Sequence, residues 1–191
     1  MTPSELVPEG SAHGRFQPFH NEHFEYVTAA YRNCNFLWIG ITKYDLDTEI
    51  SPLGREREKP ENNPLTYFER ISIIGDSLSD VGIPRSRFGF IPFPIEHPHK
   101  LKQFLSTSVV CFTTICESWN REKIGVLNAE GYPVRVLWER EKKVTGHAIR
   151  EQIVNGDRSW KENVPPATAR ALERLDIANR LRELGGRSPK K

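Results

Sequence analysis

The chain has little of what marks a specialised scaffold. Only three cysteines, Cys34, Cys111 and Cys116, occur in 191 residues. An odd count without zinc-ligand spacing excludes a disulfide framework and argues against a structural metal, so they read as small buried hydrophobes. Charge of one sign is not in excess either: 27 Lys and Arg against 25 Asp and Glu leave a formal net charge of +2, too balanced for the basic footprint of a nucleic-acid binder. No apolar run approaches membrane-spanning length, and the stretch Met1 to Gly10 lacks the basic and apolar regions of a signal peptide. The expectation is a cytoplasmic protein without a membrane or nucleic-acid partner. Repeats and low-complexity tracts are absent too.

What is present is an ordinary globular composition, 37% hydrophobic, and a regular alternation of strand-like and helix-like segments. Gly10 to His13 is a poor strand by propensity, yet small residues before a glycine suit a strand whose end a ligand approaches closely. Residues 20–31 have helical spacing, and "NFLWIGIT", 35–42, has the near-continuous apolar character of a strand buried on both faces. The polar stretch 44–63 predicts a long surface loop. "LTYFERISIIGDSL" resumes helical spacing until Gly82 and Pro84, and "RFGFIPFPI" predicts the third strand. "SVVCFTTI", "SWNREKIGVLNAEG" and "PVRVLWE" predict strand, helix and strand, then come a helix from Thr145 and one long helix over 165–184. The fold class is α/β, a Rossmann-like doubly wound parallel five-stranded sheet with helices on both faces. It forms a single domain, 1–184, with 185–191 as a flexible tail.

Two segments stand apart chemically. "GRFQPFHNEH", Gly14 to His23, falls where the first strand passes into the first helix, with His20 and His23 three residues apart on one helical face. "VTGHAIREQI", Val144 to Ile153, sits at another helix start, with Thr145 as N-cap and Arg150 one turn in. Cationic groups and free backbone N–H groups at two helix starts can hold one polyphosphate from two sides.

"GRFQPFHNEH" resembles the GRFQPxHxGH signature of the HxGH nucleotidylyltransferase superfamily, and "VTGHAIR" resembles its second motif, ISxTxxR. The archaeal-type nicotinamide mononucleotide (NMN) adenylyltransferases are the most similar branch. "NNPLTYFER", "FIPFPI" and "WKENVPPA" match that branch in order and spacing, so the resemblance spans roughly Gly10 to Pro166. It implies nucleotidyl transfer, in which an acceptor oxygen attacks the α-phosphorus of a nucleoside triphosphate and pyrophosphate leaves, with Mg2+ bridging the phosphates and no protein nucleophile. By motif match His20, His23 and Arg150 are the catalytic residues. Gly14, Arg15, Phe16, Gln17, Lys43, Thr145, Gly146 and His147 are the nucleotide-binding ones, and no protein metal ligands are implied.

The sequence also departs from the pattern. Glu22 stands where the family has glycine, His147 where threonine is usual, and Ala148 where an acidic residue is frequent. A carboxylate at 22 repels a triphosphate unless it turns away. The tryptophan that stacks on nicotinamide has no counterpart in "IEHPHKLKQF". His97, Lys102, Glu117, Trp119 and Asn120 are therefore the candidates for a reshaped acceptor pocket. The expected partners are a nucleoside triphosphate and a small phosphorylated acceptor, with homo-oligomerisation left open. ATP with NMN is the first choice. A cytidylyltransferase for a phosphonate or phosphorylated alcohol, and a nucleotide sensor without turnover, are the alternatives.

Overall fold

The computed structural model describes residues 6–46, 59–116 and 119–186. They group into two compact units interleaved along the chain, one of residues 1–15, 22–44 and 82–143, the other of residues 16–21, 45–81 and 144–191.

The first unit is built on one parallel sheet of five strands, β1 Val7–Gly14, β2 Cys34–Ile41, β3 Phe88–Pro92, β4 Val110–Ile115 and β5 Val134–Glu139, in the order β3-β2-β1-β4-β5. That is the doubly wound order, and its direction reverses between β1 and β4. Two helices belong to this unit, α1 Asn21–Tyr31, apart from its first residue, and α3 Trp119–Ala129. Interior strand β2 buries Leu37, Ile39 and Ile41 completely on one face, while Phe36 and Trp38 on the other, expected to be buried as well, are half-buried. Ile91, Phe93, Leu101, Leu105, Val109, Cys111, Leu127 and Tyr132 form a continuous core. At the β2 step opposite His13 sits Gly40, and a Cβ there would lie 2.4 Å from the ring of Phe93. The missing side chain lets that ring cross the strand.

β1 and β2 stay in register from Val7↔Cys34 to Gly14↔Ile41, whereas β1 and β4 pair only through Gly10↔Val110, Ser11↔Cys111 and Ala12↔Phe112. Beyond that point Tyr26 of α1 takes over. Its hydroxyl accepts from the His13 backbone N–H at 3.1 Å and donates to the Phe112 carbonyl at 2.7 Å. Burial raises the phenol pKa, so the group stays a donor at any physiological pH.

The second unit contains the helices α2 Tyr67–Ser79, α4 Gly146–Asn155, α5 Pro166–Arg174 and α6 Ile177–Leu184. α2 opens with a capping box, Thr66 accepting from Glu69 N and Glu69 accepting from Thr66 N. It packs on α5, where the hydroxyls of Ser77 and Thr168 meet at 3.4 Å. Arg180 of α6 binds both carboxylate oxygens of Glu69, at 2.8 and 2.9 Å, and the Pro64 carbonyl at 3.0 Å.

Three expectations need correction. β1 begins at Val7, three residues earlier than propensity suggests, because Val7 and Glu9 pair with β2. α2 ends at Ser79 with Asp80 as its C-cap, ahead of Gly82. The predicted helix 165–184 is two helices, broken at Asp176, whose φ of 46° is left-handed. Aspartate tolerates that conformation better than most residues, and the break turns Ile177 and Leu181 inward, where both are buried. Within the predicted loop 44–63, residues 47–58 lie outside the described ones, and Pro60–Asn62 form a 3-10 turn. Of the tail 185–191, residues 187–191 also lie outside them.

Replacing Tyr26 by Phe removes the hydroxyl from two backbone groups at once and is expected to destabilise by about 1–3 kcal/mol in chemical denaturation. Gly125 lies inside α3, and a methyl group added to it would meet nothing within 4 Å, so Gly125→Ala is expected to stabilise by about 0.5–1 kcal/mol in the same assay.

Candidate active site

The first motif runs through both units, and each part is fixed by its own neighbours. In the second unit, Phe16 adopts a φ of 54°, a conformation uncommon for a bulky residue outside functional turns. Its buried ring meets Phe19 edge-on at 5.6 Å. Gln17 is also buried, and its carboxamide pairs like a peptide group with Leu65, Nε2 donating to the Leu65 carbonyl at 2.7 Å and Oε1 accepting from Leu65 N at 3.0 Å. The side chain of Gln17 thus belongs to the scaffold, while its backbone carbonyl faces α4.

That carbonyl accepts from Arg150 Nη1 at 2.6 Å, and Arg150 Nη2 donates to Asn62 Oδ1. Arg150 is only 6% exposed, so the guanidinium is locked in orientation by two acceptors. The helix that carries it starts as predicted, with the Thr145 hydroxyl accepting from Ala148 N at 3.2 Å, and ends on Gly156 at φ 76°. Gly146 is required by packing: a Cβ there would sit 2.6 Å from the Gln17 carbonyl oxygen. His147, by contrast, is largely exposed and lies 3.5 Å from Glu151 one turn on. Buried His20 immediately precedes α1.

The segment "NNPLTYFER" has its physical explanation here. Asn62 receives Arg150, Pro64 and Glu69 receive Arg180, Leu65 receives Gln17, and Thr66 caps α2. Every one of these contacts holds the first-motif loop, the Arg150 helix or the helices packed around them in place.

In the first unit, the strand ends are tied by Thr42 N donating to the Gly14 carbonyl at 3.0 Å. Half-buried Arg15 follows Gly14, and half-buried Lys43 follows Thr42 with a left-handed φ of 45°. His23 lies in the first turn of α1. Glu22 turns away from its own helix start and accepts from the backbone N of Lys143 at 2.9 Å. Arg140 chelates Glu25 one turn further on, holding its carboxyl below the usual carboxylate range. The acidic residues of α1 therefore dock the segment that follows β5, and the charge conflict anticipated for Glu22 is resolved by a structural bond.

Three of the acceptor candidates have partners or surroundings that the structure describes. His97 is exposed, its ring 6.2 Å from that of His99. Lys102 makes a 3.4 Å ion pair with Glu130. Asn120 is buried, and its Oδ1 accepts from Cys116 N at 3.1 Å. Glu117 and the side chain of Trp119 lie outside the described residues. What sequence reasoning missed is His13, whose ring is 4% exposed and stacks on Phe93 at 4.1 Å and 3°. Its signal was available: a histidine near the end of an otherwise small-residue strand.

A doubly wound parallel sheet whose strand order reverses between β1 and β4 is an architecture that holds phosphorylated ligands beyond its strand ends. No family model matches the chain. Over 184 residues, 95% of this chain and 100% of the relative, it is 34% identical to a phosphonoformate cytidylyltransferase of Streptomyces viridochromogenes. It is 30% identical over 180 residues to a nicotinamide-nucleotide adenylyltransferase of Saccharolobus solfataricus, covering 91% and 94% of the two chains. The crystal structure of a bifunctional NMN adenylyltransferase/ADP ribose pyrophosphatase from Francisella tularensis shares the fold, with a TM-score of 0.70 at 16% identity, covering 95% of this chain and 53% of that one. The chain belongs to the nucleotidylyltransferase superfamily and is a nucleotidyltransferase.

Gly146→Ala forces its methyl against the Gln17 carbonyl and is expected to cost about 1–3 kcal/mol in thermal unfolding. Glu22→Gly removes the bond to Lys143 and weakens the start of α1, and thermal unfolding should report a loss of about 1–2 kcal/mol.

Proposed function

We propose that this chain transfers a cytidylyl group from CTP to a phosphonate oxygen of a small carboxylated phosphonate. The phosphonate oxygen attacks the α-phosphorus, the bond from that phosphorus to the bridging oxygen breaks, and pyrophosphate leaves. The observation that carries the choice is the 34% identity across the full length of a phosphonoformate cytidylyltransferase, against 30% and 25% to nicotinamide-nucleotide adenylyltransferases. The acceptor region agrees with it: "IEHPHKLKQF" contains no tryptophan for a nicotinamide ring, and it spends Lys102 on a surface ion pair.

In this reading His20 and His23 contact the triphosphate, Arg15 and Lys43 add positive charge at the strand ends, and Arg150 with the start of α4 receives the leaving phosphates. No cluster of three or more His, Cys, Asp or Glu side chains suited to a metal exists among the described residues. A hard cation such as Mg2+, which keeps several waters and favours phosphate oxygens, suits such a site by riding on the triphosphate. When bound it neutralises charge on the phosphate oxygens. No helix among the described residues is long and apolar enough to cross a membrane.

The test is pyrophosphate release with each nucleotide and acceptor. CTP with phosphonoformate should exceed ATP with NMN by at least about tenfold in kcat/KM, a difference of about 1.4 kcal/mol in transition-state stabilisation. His20→Ala and His23→Ala should each lower kcat by about 100- to 1,000-fold without altering thermal unfolding. Faster release with ATP and NMN would move the chain to the adenylyltransferase branch, and nucleotide binding without release would make it a sensor.

A further inference from the structure

His13 occupies the next-to-last position of β1, one residue past the point where β1 and β4 part. Ligands of doubly wound folds lie beyond such strand ends, where the order reverses. The ring is held in one plane by parallel stacking on Phe93 at 4.1 Å, a contact that exists because Gly40 leaves the strand between them open. Its backbone N–H is already committed to Tyr26. Both ring nitrogens are buried, and neither has a hydrogen-bond partner among the described residues.

Buried polar atoms are almost always paired, and an unsatisfied one costs about 1–3 kcal/mol. A leucine at position 13 would pack on Phe93 with no such penalty. The histidine is therefore held at an energetic loss unless a group other than the described residues completes its hydrogen bonds. The local field indicates the sign of that group. Burial first, and then the charge of Lys123 on α3, hold the His13 pKa well below the ordinary imidazole value. Lys123 is itself lowered to about 8 by burial and by Lys142. A neutral imidazole that still donates one N–H, placed within the field of Lys123, suits a small oxyanion better than a cation or an apolar ring.

We propose that His13 recognises the carboxylate of the acceptor, leaving the phosphonate end for the transfer. This assignment rests on the cytidylyl-transfer reading of the site. It makes His13 a specificity-determining residue: the imidazole N–H donates to a carboxylate oxygen, Phe93 fixes the ring, and Gly40 permits the stack. No covalent step involves it.

The decisive experiment combines binding and kinetics on the full chain. Histidine-ring 15N resonances are followed while phosphonoformate or methylphosphonate, which lacks the carboxylate, is titrated in, and the His13 signals are assigned by their loss in His13→Gln. Phosphonoformate should move the His13 resonances and methylphosphonate should not. His13→Phe, which keeps the stack and removes both nitrogens, should raise the KM for phosphonoformate by about ten- to a hundredfold. The KM for CTP should stay within about twofold, and His13→Gln should recover part of the loss through its amide donor. Unmoved resonances, an unchanged KM in His13→Phe, or equal losses for both acceptors would overturn the assignment. Should His13→Phe fail to fold, the wild-type resonances and the His13→Gln kinetics decide alone. Responsive resonances without CTP turnover would refute the functional reading and keep the anion site, whereas turnover with silent resonances would do the reverse.

Discussion

The hydroxyl of Tyr26 stands between two strands that would otherwise keep pairing. By accepting from His13 and donating to Phe112 it satisfies both backbone groups where β1 and β4 separate. Without it the sheet would have to continue pairing or leave a buried N–H and a buried carbonyl empty. The polar closure of the gap between the parting strands and the tie of α1 to both of them rest on this one side chain. Its own depth in the protein, which keeps the phenol protonated, makes the arrangement insensitive to pH.

A second constraint is the fixing of the first-motif loop by polar groups rather than by apolar packing alone. Gln17 offers its side chain to Leu65 and its backbone carbonyl to Arg150, and Arg150 reaches on to Asn62. Three segments distant in sequence are thereby held to one geometry. Directional bonds to buried groups specify position more tightly than hydrophobic contacts of equal strength, because a misplaced partner leaves a penalty behind. The left-handed backbone of Phe16 is the local strain this network sustains.

The two departures from the family pattern acquire different meanings once placed in space. Glu22 has become a structural residue that receives Lys143, so a carboxylate at the helix start is compatible with anion chemistry because its charge is directed elsewhere. His147 remains on an exposed helix face beside Glu151. Lys102 and Asn120 are engaged by Glu130 and the Cys116 backbone, whereas His13 at the end of β1 is buried with both ring nitrogens lacking a partner among the described residues.

The order of strands and helices, the Thr145 cap and the paired motifs were legible in the sequence because they depend on local spacing: apolar runs for buried strands, a hydroxyl before a helix, a histidine pair three residues apart. The break at Asp176 was not, since no proline or glycine marks it and only the burial of Ile177 and Leu181 favours the left-handed turn. Nor was the use of Gln17 and Glu22 as scaffold, because their partners lie 48 and 121 residues away. The sequence by itself determined the fold class, as that is written in short-range pattern. Only the tertiary structure decided which polar side chains are already committed to the protein and which, like His13, are buried with no partner among the described residues, because hydrogen-bond satisfaction is a property of neighbours in space.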